Sequence, residues 1–245
     1  TVIDEKVLQG ASKLKLVCLT ATGFNNIDIP ACKAHGVVAS NVIGYSTPIV
    51  AQHTFAMLLH IIEHLNHYDN YVKSGKYSEA ISFTYIDRPF NEISGRRYGI
   101  VGMGNIGRQT ADIARAFGAE VVYYSASGKT YDVPYEAVDF HTLLTTCDYI
   151  SLHCPLNEKT QNLFTREAFK KMKSSAILIN VARGAVVCEE DLVEALLEGD
   201  IAGAGIDVFS KEPFPMDSPL FKLKAMENVI LTPHIAWGSV EARKR

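Results

Sequence analysis

Short continuous apolar runs alternate with stretches in which apolar residues recur at helical spacing, and this alternation predicts an α/β chain built on parallel strands. Lys13 to Thr20, with Leu14, Leu16, Val17 and Leu19, reads as a strand. Ile27 to His35 reads as a short helix with Asp28 as its cap and Pro30 in its first turn, and Gly36 closes it before a second strand at Val37-Val-Ala39. Thr47 and Pro48 then open the longest helix, on which Val50, Met57, Ile61, Leu65 and Tyr68 share one side until Ser74-Gly75. Lys76 to Glu92 has no period, contains Pro89 and reads as a connector.

The centre of the pattern is Tyr98-Gly-Ile-Val-Gly-Met-Gly-Asn-Ile-Gly107. A β-branched run ends in glycines, Ile106, Ala111, Ala114 and Phe117 follow near helical spacing, and Gly118 stops that helix before Val121 and Val122. That is a βαβ unit. Beyond it, Asp148 to His153, Ala176 to Val181, Gly203 to Val208 and Asn228 to Thr232 read as further strands. Helices are predicted from Thr165, as cap, through Met172, and from Glu189 to Leu197. The expected fold is a doubly wound parallel sheet of the Rossmann kind.

In such a unit Gly102 permits the tight turn, Gly104 lets backbone approach a pyrophosphate, and Gly107 lets the helix pack close to the strand. The helix N-terminus then faces the anion. The position after the second strand, where an acidic residue normally accepts from the ribose 2′-hydroxyl, holds Ser125. Ser125, Ser127 and Lys129 would accommodate a 2′-phosphate, and equally they read as a polar turn beside a bound NAD. NAD and NADP both remain open.

Composition narrows the partners. With 245 residues, 47% hydrophobic and 21% charged, the chain holds one large or two smaller domains. A net charge of −3 lacks the basic surplus of a nucleic-acid binder. Without a long apolar segment or a signal-peptide pattern, a cytoplasmic protein away from membranes is expected. The five cysteines are scattered and form no CxxC pair, so they read as incidental thiols. His53, His60, His64 and His67 fall at spacings that share a helix face, which suits a polar interface or solvated face better than a metal site, and no metal is expected. The chain opens at Thr1 without an initiator Met and stops at Arg245 within a helical pattern, as a fragment would.

Ligands of open parallel sheets bind outside the carboxyl ends of the strands. Cys154-Pro155, Arg183, Asp207, Glu212 and His234 all lie at such ends. Hydride exchange between a nicotinamide and a 2-oxo acid needs a proton donor for the developing alkoxide and a cation for the carboxylate and carbonyl. His234 can be the acid, Glu212 a carboxylate that steadies its imidazolium, and Arg183 the planar fork that clamps a carboxylate.

Gly102-x-Gly-x-x-Gly107, Asn180-Val-Ala-Arg-Gly184, Gly205-Ile-Asp-Val-Phe-Ser-Lys-Glu-Pro213 and Thr232-Pro-His-Ile-Ala-Trp237 resemble the D-2-hydroxyacid dehydrogenases over nearly the whole chain. The resemblance implies Arg183, Glu212 and His234 as the catalytic set, with Arg183 also binding substrate. It implies main-chain N–H groups at Thr22 and Gly23 for the substrate carboxylate. The cofactor would be lined by Gly102, Gly104, Asn105, Ile106, Gly107, Ser125, Cys154, Pro155, Thr160, Val181, Ala182, Arg183, Asp207 and His234.

Ala21-Thr-Gly-Phe-Asn-Asn-Ile-Asp28 and His234-Ile-Ala-Trp237 look most like the hydroxypyruvate reductase or glycerate dehydrogenase branch. The resemblance further implies a partial, flavodoxin-like substrate domain at residues 1–45, a dinucleotide-binding domain at 46–234, and a return to the substrate domain at 235–245. It also implies a homodimer formed through the helix from Pro48. A cofactor-sensing interaction protein of the corepressor type shares these motifs and is the alternative.

Overall fold

A computed structural model describes residues 2–245, which divide into two compact units, 2–47 with Gly238–Arg245, and Pro48–Trp237. In the smaller unit α1 (Glu5–Gln9) is capped by Asp4, and the parallel pair β1 (Leu16–Leu19) and β2 (Val38–Asn41) flanks α2 (Ile29–Ala34). Asp28 caps α2, its carboxylate accepting from Ala31 N–H at 2.9 Å. Leu8, Ile27, Ala31, Cys32 and Val37 form its small core. The last helix, α9 (Val240–Lys244), belongs to this unit and is capped by Ser239.

The larger unit is a seven-stranded parallel sheet. Its strands are β3 (Arg97–Val101), β4 (Glu120–Tyr124), β5 (Glu136–Ala137), β6 (Tyr149–Leu152), β7 (Ile177–Asn180), β8 (Gly203–Ile206) and β9 (Val229–Leu231), in the order β5-β4-β3-β6-β7-β8-β9. The order reverses between β3 and β6, where a doubly wound sheet opens its ligand crevice. Strands β6, β7 and β8 are buried at every position, as strands covered on both faces must be.

Alternate residues of one strand feed opposite cores. Ile177 and Ile179 pack with α3 (Thr47–Ile62) and α5 (Asn105–Ala116), through Phe55, Leu58, Ile61, Ala111 and Ala114. Leu178 faces the other way, toward α6 (Phe140–Thr146), α7 (Arg166–Phe169) and α8 (Glu189–Glu198), through Leu143, Phe169 and Leu192.

Four elements depart from expectation. The helix opened by Pro48 does not run unbroken to Ser74: α3 ends at Ile62, and α4 (Leu65–Lys73) restarts after His64, whose backbone is left-handed with φ 51°. That break puts the histidines of the stripe on two helices. His53 reaches Thr232, His67 reaches Asp87 at 2.9 Å, and among the described residues no group of three His, Cys, Asp or Glu could hold a metal ion.

The helix after Thr165 stops at Phe169 rather than Met172. Thr165 stands at its N-cap position but makes no side-chain capping bond, and the Asp191 carboxylate accepts from Arg166 N–H at 2.8 Å. The connector contains a short 3-10 turn at Lys76–Glu79. An unforeseen edge strand, β5, extends the sheet beyond β4. Among the described residues no helix is long and apolar enough to cross a membrane.

Candidate active site

The turn between β3 and α5 is shaped by what cannot fit in it. Gly102 holds φ 96°, and a Cβ there would stand 2.7 Å from the Cys154 nitrogen; a Cβ at Gly107 would stand 2.1 Å from the Gly102 oxygen. Both positions exclude a side chain by close backbone approach. Gly104 is different, since a Cβ there would meet nothing within 4 Å. Its bareness leaves room for something outside the protein. It is also the N-cap of α5, and no side chain caps that helix, so the first-turn N–H groups and the positive end of the dipole are available to an anion. A dinucleotide pyrophosphate fits this cradle. Asn105 and Ile106 form the first turn beside it.

On the other side of the crevice, Cys154 and Pro155 follow the end of β6. Cys154 is buried, and burial pushes its thiol up to about 11, so it presents a neutral wall rather than a nucleophile. Thr160 is buried too. Its hydroxyl donates to Pro155 O at 2.6 Å and accepts from Asn157 N–H at 2.9 Å, which closes the 155–160 loop.

At the end of β7 the chain turns through Val181, Ala182 and Arg183. The turn is braced by Asn180, 1% exposed, whose side-chain amide donates to Arg183 O and whose side-chain oxygen accepts from Ala182 N–H, both at 3.0 Å. Arg183 is half-buried, its guanidinium donating to Ala182 O at 2.6 Å. Behind it, a Cβ on Gly184 would stand 1.9 Å from the Phe209 carbonyl carbon, so the Arg183 loop lies directly against the loop that carries Glu212.

Asp207 ends β8 and is fully buried. Its carboxylate accepts from Thr232 Oγ1 at 2.5 Å and from the N–H groups of Ile235 and Ala236 at 2.9 Å, while its carbonyl accepts from His234 N–H at 2.8 Å. These bonds hold His234 in a left-handed backbone conformation, φ 54°, which a histidine adopts only where its surroundings impose it. His234 Nδ1 lies 2.7 Å from Glu212 Oε2, and the other Glu212 oxygen accepts from Phe209 N–H at 2.8 Å. Glu212 is thus fixed at both oxygens. An apolar cavity of about 380 Å³ adjoins the pair, lined by Phe209, Pro213, Phe214 and Pro233.

Ser125 follows β4 beside the glycine turn, where Gly102 N–H donates to Tyr124 O. Thr22 and Gly23 lie in the smaller unit, with the Thr22 hydroxyl donating to Val42 O and the Asn41 amide to Thr22 O.

A glycine cradle at a strand reversal, with a fixed carboxylate–imidazole pair at the end of the same sheet, is matched across residues 55–236 by the family model described as "D-isomer specific 2-hydroxyacid dehydrogenase, NAD binding domain". The chain belongs to that family. It is 37% identical to the hydroxypyruvate reductase of Blautia hydrogenotrophica, covering 100% of this chain and 76% of that one. It is 40% identical to the glyoxylate reductase of Thermococcus litoralis, covering 99% and 73%. Its structure superposes on the D-lactate dehydrogenase of Aquifex aeolicus, crystallised with NAD and lactic acid, with a TM-score of 0.87 and 30% identity, covering 99% and 75%.

As a D-2-hydroxyacid dehydrogenase, the protein is an oxidoreductase coupling NAD(P) to the interconversion of 2-oxo and D-2-hydroxy acids. Two residues of the dehydrogenase site escaped reading from sequence. Asn180 stood in a family motif, and as a lone amide closing an otherwise apolar strand, but its bracing role was not read. His53 had no signal, because its partners Thr232 and Asp207 lie over 150 residues further on.

Proposed function

We propose that this dehydrogenase reduces a small 2-oxo acid of the hydroxypyruvate or glyoxylate kind, with His234 as acid and base, Glu212 as its partner and Arg183 as the carboxylate clamp. The observation that carries the reading is the 2.7 Å contact between Glu212 Oε2 and His234 Nδ1. With Nδ1–H donated to the carboxylate, Nε2 is the atom left to give a proton to the substrate carbonyl oxygen and to recover it in the reverse direction. Bound at the glycine cradle, the reduced nicotinamide supplies the hydride.

Arg183 offers a planar pair of donors to the substrate carboxylate, and the main-chain N–H groups at Thr22 and Gly23 are proposed as further donors to it. Asn105, Ile106, Cys154, Pro155, Val181 and Ala182 are proposed to line the cofactor. Thr160 and Asp207 are proposed to act indirectly, through the loops they hold. The smaller unit is taken as part of the substrate domain.

A homodimer is proposed through the segment after α4 rather than through α3, whose apolar residues already pack against the sheet. Ile81, Phe83, Ile86 and Phe90 are exposed there, the first at 108%. A reducing cytoplasm suits the five free cysteines.

The test is oxidation of NADH and NADPH against hydroxypyruvate, glyoxylate, pyruvate and longer 2-oxo acids, repeated for Arg183→Ala and His234→Ala. Turnover in both variants is expected to fall by roughly 10²–10⁴-fold with cofactor binding retained. Unchanged turnover in both would remove the assignment. Binding without reduction of any acid by the parent protein would favour a cofactor-sensing role.

A further inference from the structure

The dinucleotide site departs from an NAD site at the point where the ribose 2′ position is read. Tyr124 pairs in register with Val101, and Gly102 N–H donates to Tyr124 O at 3.0 Å, so Ser125 emerges immediately beside the pyrophosphate turn. A carboxylate at this place would accept from a 2′-hydroxyl and repel a phosphate. No acidic residue occupies the segment from Ser125 to Tyr131.

What occupies it is a folded group of donors. Gly128 N–H closes a turn onto Ser125 O at 2.9 Å, with Gly128 at φ 74°, and this brings Ser125 Oγ within 3.1 Å of Ser127 Oγ. Two cations then converge from different elements on the ring of Tyr131. Lys129 Nζ is 5.2 Å from the ring centroid, and the Arg108 guanidinium, from the second turn of α5, is 5.7 Å from it. Tyr131 is itself anchored, its main-chain N–H donating to the hydroxyl of the buried Tyr123 at 3.2 Å and its ring set edge-to-face with the Tyr123 ring at 5.8 Å. Arg108 is tethered to the glycine turn through a 3.4 Å bond from Nε to Met103 O.

Neither cation forms an ion pair with a carboxylate among the described residues. The acidic residue one helical turn beyond Arg108, Asp112, is engaged by Tyr135 and Arg115. Two positive side chains within 6 Å of one aromatic ring, near two hydroxyls and without an ion-pair partner among the described residues, make a site for a dianion.

We propose that Ser125, Ser127, Lys129 and Arg108 form a binding site for the 2′-phosphate of NADP(H), and that this chain is an NADPH-preferring member of its family. The inference rests on the dinucleotide reading of the glycine cradle and adds to it the choice of cofactor. Tyr131 serves as the platform that holds both cations in place. A phosphate there accepts from both hydroxyls and both cations. NADH leaves those four donors facing water.

The test is calorimetric titration of the whole chain with NADPH, NADH, adenosine 2′,5′-bisphosphate and 5′-AMP, on the parent and on Lys129→Ala, Arg108→Ala and Ser125→Asp. Both cations are exposed, so the fold is expected to persist, and the melting temperature checks it. NADPH is expected to bind at least about tenfold more tightly than NADH, since a hydrogen bond to a charged group contributes of that order. The bisphosphate should exceed 5′-AMP in the same proportion. Lys129→Ala and Arg108→Ala should each weaken NADPH and leave NADH alone, and Ser125→Asp should reverse the preference.

Equal affinities, or tighter NADH, would overturn the inference while leaving the cradle standing. NADPH preference unaffected by both cation variants would overturn the assigned residues. Failure of all four nucleotides to bind would overturn the cradle itself.

Discussion

His53 Nε2 lies 3.6 Å from Oδ1 of the fully buried Asp207 and 3.2 Å from Thr232 Oγ1, which itself donates to the same carboxylate oxygen. Among the described residues His53 is the one basic side chain within ion-pair distance of that carboxylate. A carboxylate without solvent is costly unless its lone pairs are filled. Asp207 meets that condition with one hydroxyl, two main-chain N–H groups and the nearby imidazole, and in doing so it sets the backbone of Ile235 and Ala236 directly after His234. His53 therefore supports the His234 loop without touching the His234 imidazole.

His53→Leu is expected to destabilise the protein by about 1–3 kcal/mol, because it leaves a buried polar group short of a partner. It should also lower kcat more than it raises KM, since the His234 loop loses definition while the cradle does not. His53→Gln, which keeps a donor, should recover most of both. Denaturant melts and steady-state kinetics decide it. A His53→Leu protein with parental kcat would mean that Asp207 holds the loop unaided.

Glu212→Gln separates charge from shape. The glutamine oxygen can still accept from Phe209 N–H, so the loop should stay in place, but His234 loses its anionic partner. Turnover is expected to fall by roughly 10²-fold, with NADPH and NADH affinities within about twofold of the parent. Unaltered turnover would detach Glu212 from the chemistry.

The sheet was legible because its signals are local. Continuous apolar runs, glycines at fixed offsets and the Asp28 cap each act within a few residues of where they stand. What was hidden depends on distant groups or on conformations without a marker residue. His64 breaks the long helix in a left-handed conformation usually reserved for glycine or asparagine, and nothing beside it announces a stop. The helix at Arg166 has Thr165 at its N-cap as read, but its first N–H is satisfied by Asp191, 25 residues on, which nothing near Thr165 announces.

The candidate site divides in the same way. Arg183, Glu212 and His234 stood out through family motifs and their places at strand ends. The supports beneath them, Asn180, His53 and the carboxylate of Asp207, are readable only when the loops are seen together. Thr160 uses its hydroxyl to close its own loop, through partners that lie within five residues of it.

His153, the last residue before Cys154, gives the protein an acid-side weakness. Its Nε2 lies 2.9 Å from Ser151 Oγ, its Nδ1 is out of solvent without a partner, and burial lowers its pKa from 6.5 to about 3. In the folded state the ring stays neutral down to about pH 3, whereas in the unfolded chain it takes a proton near 6.5. Between those values the unfolded state binds the extra proton, so stability is complete above pH 6.5 and is lost as the pH falls toward 3. A drop of about 1–2 kcal/mol is expected between pH 6.5 and 5, following from about 1.4 kcal/mol per unit. Urea melts at the two pH values measure it, and His153→Gln should flatten that part of the curve. An equal slope in the variant would assign the acid sensitivity elsewhere.

Gly184 tests how tightly the arginine and glutamate loops are joined. A methyl group there would overlap the Phe209 carbonyl carbon at 1.9 Å and the Ser210 nitrogen at 2.2 Å, and all of these are backbone atoms that cannot rotate away. Ser210 is tied in turn to Glu189 at the start of α8, its N–H donating to the carboxylate at 2.6 Å. Gly184→Ala must therefore push the 208–212 segment outward, and overpacking of this kind costs about 1–3 kcal/mol or more. The displaced segment carries Glu212, so turnover should fall beyond what the lost stability explains, while nucleotide affinity, set on the far side of the crevice, stays close to the parent. Calorimetric melting, nucleotide titration and turnover measured on one preparation separate the two effects. If stability and turnover both hold in Gly184→Ala, the two loops are not packed as closely as the structure places them, and Arg183 and Glu212 would then be positioned independently.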